Sequence, residues 1–303
     1  MKISIRLLLL FLSLLITVNM SAISCTAPVT TSESDHEDEL KIITTFLPMY
    51  IFTANLVAGI DNVRLTNLAA PDVGCLHDYQ LLPADMIKIE DADIFIYNGA
   101  DMESFIGQLA EVRENLAMIE ASRGIDLLPA AGDEDNGHVW LSIPLAIRQV
   151  RNISAGLQQA DPAHISQYQA NEAAYVSRLE ALDAEYRTGL GNLRSRDIIT
   201  FHEAFPYLAA EYGLTVAAVI QREPGAEPSA GELAETIDLI REQGIPALFA
   251  EPQYSIRVAE TIAAETGAKV YTLDPVVTGS ADAATYEQKM RQNLAVLQEA
   301  LGG

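Results

Sequence analysis

From Lys41 onward, short runs of β-branched and aliphatic residues alternate with stretches whose apolar positions recur every three or four residues. The runs Lys41–Phe46, Val63–Ala69, Asp93–Tyr97, Ala117–Glu120, Asp197–Phe201, Thr215–Ile220, Ala247–Ala250 and Lys269–Leu273 are predicted strands, with helical patterns between most of them. This rhythm builds parallel sheets, because parallel neighbours need a long crossover and a helix fills it. It breaks once. Between Ile143 and Arg196 no strand is predicted, only a helix over Pro144–Gln159 and another from Pro162 to about Thr188. Asp161-Pro162 starts the second, with Asp as N-cap and Pro at the first helical position. Ile165, Tyr168, Tyr175, Leu179, Leu182 and Tyr186 fall at steps of three, four or seven, on one stripe. A helix of roughly 27 residues is about 40 Å long and reaches across two halves. A further helix start is predicted at Ser229-Ala230-Gly231-Glu232, a capping box after the turn-rich Glu223–Pro228.

The expected fold is α/β, two doubly wound parallel-sheet lobes joined by a single long rigid helix, with a ligand cleft between the lobes. The division is an N-terminal lobe at 40–158, the connecting long helix at 159–190 and a C-terminal lobe at 191–303.

The first 40 residues obey different rules. Lys2 and Arg6 precede the apolar run Leu7–Val18, then small residues lead to Cys25. A run of 12 residues is too short to span a bilayer, which takes roughly 20, so residues 1–24 are a predicted signal peptide. Ala22-Ile23-Ser24-Cys25 resembles a lipoprotein cleavage box, with Ala where Leu is usual; Cys25 is then the lipid anchor, and plain secretion is the alternative. Residues 25–39 are a polar, acidic tether, and His36 within it is given no role. Losing residues 1–24 removes Lys2 and Arg6 and no acid, leaving 17 basic and 42 acidic residues and a net charge of −25. Such a chain is a poor partner for nucleic acid and a compatible one for cations. With Cys25 lipidated, Cys75 has no partner for an intramolecular disulfide.

The candidate chemistry lies at predicted strand ends. His77, His138 and His202 each lie past an apolar run, and Asp274 sits likewise in Leu273-Asp274-Pro275. Open α/β sheets bind ligands at strand carboxyl ends, and neutral imidazole is the commonest metal ligand. Singly, a loop histidine or an Asp before Pro reads as a surface or turn residue. Together the four are a candidate transition-metal site, open at this point to a binding or a hydrolytic role. A zinc hydrolase also uses three protein ligands. His202-Glu203 begins like the zinc-protease helix, but Pro206 stands where its second histidine belongs. No Ser nucleophile elbow or phosphate-cradling glycine loop is present. Glu203 and Glu251 remain as general bases or as partners for imidazole N–H groups.

Six ordered segments carry a resemblance: Gly74-Cys75-Leu76-His77-Asp78-Tyr79, Gly137-His138-Val139-Trp140-Leu141, Phe201-His202-Glu203-Ala204-Phe205, Glu223-Pro224-Gly225-Ala226-Glu227-Pro228-Ser229, Phe249-Ala250-Glu251-Pro252-Gln253 and Leu273-Asp274-Pro275. With Tyr97-Asn98-Gly99-Ala100 and the long helix, they make the chain resemble the zinc and manganese solute-binding lipoproteins of bacterial ABC importers, most of all the zinc-binding members. The resemblance implies an extracytoplasmic, lipid-anchored, monomeric receptor, not an enzyme. It would bind a metal between its lobes at His77, His138, His202 and Asp274, and hand it to a membrane permease with its ATPase. In that family a carboxylate in place of the third histidine goes with manganese, so His202 implies Zn2+ as the transported ion, with Mn2+ or Fe2+ the alternative. Three nitrogens and one carboxylate also suit tetrahedral zinc. Two departures stand out: the loop Gly132–Gly137 lacks the histidines that zinc members often carry there, and Cys75 replaces a non-thiol residue and reads as a partly buried small side chain. A surface adhesin is compatible with the anchor but no residue supports it.

Overall fold

The computed structural model describes residues 39–77, 79–113, 116–130, 135–220, 228–252 and 256–302. The signal peptide, Cys25, His36, Asp78, most of the acidic loop before Asp135, the segment 223–227 and Gln253 lie outside the described residues.

The first sheet is built from β1 (Leu40–Thr44), β2 (Val63–Asn67), β3 (Ile94–Tyr97) and β4 (Ala117–Glu120), all parallel, in the order β2-β1-β3-β4. Helices α1 (Leu47–Leu56), α2 (Pro83–Glu90) and α3 (Ile106–Val112) make the crossovers. The second sheet repeats the order as β6-β5-β7-β8, from β5 (Asp197–Thr200), β6 (Thr215–Val219), β7 (Ala247–Ala250) and β8 (Lys269–Thr272). Its crossovers are α6 (Pro206–Tyr212), α7 (Ala230–Gln243) and α8 (Arg257–Thr266), and α9 (Thr285–Gly302) closes the chain. Between the sheets lie α4 (Ile143–Ala160) and α5 (Ile165–Gly189). All eight predicted strands are present, each one or two residues shorter than its apolar run or of equal length.

The period-2 geometry of a strand explains how one core serves both lobes. Ile42, Ile94 and Ile96 of the first sheet and Ile198, Ala247 and Phe249 of the second face a continuous core shared through α1, α5 and α9. Their strand neighbours face outward: Ile43 and Phe95 into a private core under α2 and α3, Ile199, Leu248 and Ala250 into another under α7 and α8. Ser142 caps α4, accepting from the Leu145 N–H at 3.4 Å, and Ser229 and Glu232 form the predicted reciprocal box on α7, at 3.2 and 2.8 Å.

The long helix starts differently from its prediction. A 3-10 turn, Pro162–His164, precedes α5, and Asp161 does not cap it with its side chain. The carboxylate instead accepts from the Tyr168 hydroxyl at 2.8 Å and lies 2.6 Å from His164 Nδ1, so His164 is engaged rather than merely solvated. Ile165, placed on the stripe, is 36% exposed, because it stands in the first turn of the helix at the edge of the stripe; Tyr168, Tyr175, Leu179, Leu182 and Tyr186 are buried. At 25 residues α5 is roughly 37 Å long. Asn171 donates to the Leu56 and Ala58 carbonyls at one end, and the Tyr186 hydroxyl to the Met290 carbonyl at the other. Midway, Arg178 pairs with Glu287 of α9 at 2.9 Å and donates to Asn55 of α1, holding both lobes from one side chain.

A candidate metal centre between the lobes

In an open sheet the crossovers diverge where neighbouring strands lead to opposite faces, and a crevice opens at their carboxyl ends. In the second sheet that point lies between β5 and β7. His202 follows β5 and Glu251 follows β7, and both are buried, at 3% and 1% exposure. The His202 N–H donates to Glu251 Oε1 at 3.1 Å, with Oε2 3.6 Å from His202 Nδ1. The carboxylate faces Nδ1, an arrangement that would leave Nε2 as the nitrogen for a metal.

The corresponding crevice of the first sheet is filled by a buried polar lattice. Glu103 accepts from the Thr45 hydroxyl at 2.7 Å and from the Asn98 and Gly99 N–H groups at 2.8 and 3.0 Å. Burial pushes this carboxyl up to about 7 against the pull of those donors. Gln149 of α4 donates to Asn98 Oδ1 at 2.8 Å and to Ser122 Oγ at 3.0 Å, and Asn98 donates to the Gly137 carbonyl at 3.0 Å. Gly137 has no room for a side chain, since a Cβ would lie 2.9 Å from the Ala100 carbonyl oxygen. The lattice thus fixes the backbone next to His138.

Asn136 then fixes the ring. Its Oδ1 accepts from the His138 N–H at 3.0 Å and lies 3.1 Å from Nδ1, so Nδ1 carries the hydrogen and Nε2 is left to face the cleft. The Asn136 amide donates across the lobes to the Glu203 carbonyl at 2.8 Å, and the Tyr207 hydroxyl donates to the Asn136 carbonyl at 2.8 Å. Sequence reasoning missed Asn136; its position two residues before a candidate ligand was the available signal. Glu203 enters through its carbonyl, Glu251 through its carboxylate.

Two of the four sequence candidates, His138 and His202, bring donor atoms together, and the His77 ring lies alongside. The His138 and His202 rings are 4.8 Å apart, and His77 lies 5.1 Å from the first and 6.2 Å from the second. Burial, then the neighbouring His202 and His77, hold His138 well below the ordinary imidazole range. Cys75, read from sequence as a filler, joins the group: its Sγ is 3.4 Å from His138 Nε2, and donor atoms of Cys75, His138 and His202 all lie within 4.8 Å of one another. Burial, then the Glu251 charge, push its thiol up. Asp274 makes other contacts. One oxygen accepts from the Val276 N–H at 2.8 Å, the other pairs with the Lys289 ammonium, and Asn293 clamps the Asp274 backbone at 2.9 and 2.7 Å. Trp140 packs 5.2 Å from the His138 ring and donates to the Pro275 carbonyl at 2.8 Å, tying the two sides of the cleft together.

Two parallel-sheet lobes sharing one core, with a crevice at the carboxyl ends of both sheets, define a two-lobed solute-binding protein. Residues 42–300 match the family described as zinc-uptake complex component A, periplasmic, and the chain belongs to that family. It is 34% identical over 284 residues to the high-affinity zinc uptake system protein ZnuA of Bacillus subtilis, covering 87% of this chain and 88% of that protein. It is 32% identical over 288 residues to the zinc-binding lipoprotein AdcA of Streptococcus pneumoniae, but spans only 57% of AdcA's length. Among solved structures, the solute-binding protein FpvC of Pseudomonas aeruginosa in complex with Mn2+ superposes with a TM-score of 0.79 at 31% identity, over 87% of this chain and 99% of FpvC. Zn(II)-bound AdcA gives 0.78 at 32% identity, over 88% of this chain and 58% of AdcA.

Proposed function

We propose that this protein is an extracytoplasmic receptor that captures a divalent transition metal, Zn2+ before Mn2+ or Fe2+, and delivers it to an ABC permease driven by its ATPase. The observation that carries this reading is the meeting of His138 and His202 from the two lobes beside the His77 ring, the first two buried with their Nδ1 atoms turned to Asn136 and Glu251. Imidazole nitrogens favour zinc over manganese, which prefers oxygen. Asp274 supplies the carboxylate of the ligand set, exchanging the Lys289 ammonium for the ion. The domain division of N-terminal lobe 40–158, connecting helix 159–190 and C-terminal lobe 191–303 then has a mechanical sense. With Arg178 holding both lobes at the middle of α5, loading produces a small rocking rather than a wide hinge closure.

Residues 1–24 act as the signal peptide, Cys25 carries the lipid and residues 25–39 form the tether, so the receptor works as an anchored monomer. It is not an enzyme: the ion is cargo, and the general-base candidate Glu251 is committed to His202. Metal analysis of protein purified from its native cells tests the cargo, with zinc expected and an excess of manganese or iron overturning it. A Cys25→Ala variant should move from the membrane to the soluble fraction; retention at the membrane would contradict the anchor.

A further inference from the structure

The described cleft offers more donors than a four-coordinate ion needs, and they are unequally available. Asp274 has both carboxylate oxygens engaged, one by the Val276 amide and one by the Lys289 ammonium. Cys75 lies among the imidazoles instead. Zinc with nitrogen ligands at about 2.0–2.1 Å and sulfur at about 2.3 Å, tetrahedrally disposed, holds neighbouring nitrogen and sulfur atoms roughly 3.5 Å apart. The Cys75 Sγ to His138 Nε2 separation is 3.4 Å. The loop that delivers the sulfur is seated from the other side. Gly74, at φ +85, makes the turn, and Leu76 is 0% exposed in the shared core, between the half-buried Cys75 and His77 that flank it. With the middle residue of the three pinned inward, the residues on either side are both presented to the cleft.

We propose that Cys75 is a ligand of the transported ion, its sulfur completing a mixed sulfur and imidazole shell with His138, His202 and His77, and that Asp274 joins only after Lys289 releases it. This rests on reading the cleft as a metal receptor. The step is an acid–base exchange with no change of oxidation state: the S–H bond breaks, its proton passes to solvent, and a metal–sulfur bond forms. A soft sulfur donor raises the preference for zinc over manganese beyond what imidazole alone provides. It also distinguishes a ligand role from the packing role that Cys75 would have as a small side chain against the core, since packing makes no demand on the metal.

The test uses the mature chain carrying Cys25→Ser, in which Cys75 is the sole thiol, loaded with Co2+ as the spectroscopic probe. A sulfur-to-cobalt charge-transfer band in the near ultraviolet is expected, together with visible bands of tetrahedral intensity. In the additional Cys75→Ser variant the charge-transfer band should vanish while the visible bands persist, and zinc affinity should fall more than manganese affinity. Circular dichroism confirms that this variant is folded. Visible bands without the charge-transfer band in the Cys75-containing protein, or the same band retained after Cys75→Ser, would overturn the sulfur ligand and leave the receptor intact. Failure of the folded protein to bind cobalt or zinc at all would overturn both.

Discussion

The two lobes share a strand order yet bring their imidazoles to the cleft by opposite means. In the C-terminal lobe, His202 sits immediately beyond β5 and is steadied by Glu251 from the end of the adjacent strand β7. The sheet itself sets the geometry. In the N-terminal lobe, His138 lies in a long loop after β4 and owes its place to side chains: Glu103, Asn98 and Gln149 fix the Gly137 backbone, and Asn136 fixes the ring. One half of the site is inherited from the fold, the other is assembled from hydrogen bonds.

The largest expected effect removes a proposed ligand outright. His202→Ala should weaken zinc, measured by competition with a chelator, beyond the roughly 10–100-fold that loss of an outer hydrogen-bond partner costs. Unchanged affinity would show that the sheet-borne half of the site is not a metal site. Next come the supports. Asn136→Ala and Glu251→Gln should each weaken zinc by about 10–100-fold. Only the first should also lower the stability of the metal-free protein markedly, because Asn136 bonds across the lobes to Glu203 while glutamine keeps an acceptor for the His202 N–H. Equal destabilisation by both would erase the contrast.

A smaller effect probes the assembled half alone. Asn98→Ala strips a donor from the Gly137 carbonyl and an acceptor from Gln149, so denaturant unfolding should show a loss of about 1–3 kcal/mol for the buried groups left unpaired. The smallest is a pH slope. His138 is held neutral by burial, so its pKa is lower folded than unfolded and the unfolded chain takes up the extra proton. Its neutral, native arrangement is fully favourable above the ordinary imidazole pKa, and stability is lost as pH falls through that value toward the depressed one. Metal-free parent protein should therefore lose stability on acidification relative to His138→Gln; parallel curves would show that the ring is not desolvated.

The same contrast governs what could be read from the chain. The strands and α5 were legible because each is a local pattern, and His202 because the residue next after an apolar run is a local address. His77 and His138 were legible as candidates, but the reason they meet was not. Asn98 bonds to Gln149 across 51 positions and Asn136 to Glu203 across 67, and no periodicity encodes such pairs. Asp161 misled for the opposite reason: its local cap signal lost to Tyr168 one helical turn and a 3-10 turn away. Cys75 packs partly buried against the shared core, as its small size suggests, and its approach to the His138 ring 63 residues on has no local signal.

Trp140 is the chain's single tryptophan, and its indole lies against His138 on one side while its N–H reaches the Pro275 carbonyl beside Asp274. All tryptophan emission from this molecule therefore originates at the junction where an ion would arrive. The protein carries its own optical gauge, one that reports on cargo and on the separation of the two walls with no label attached.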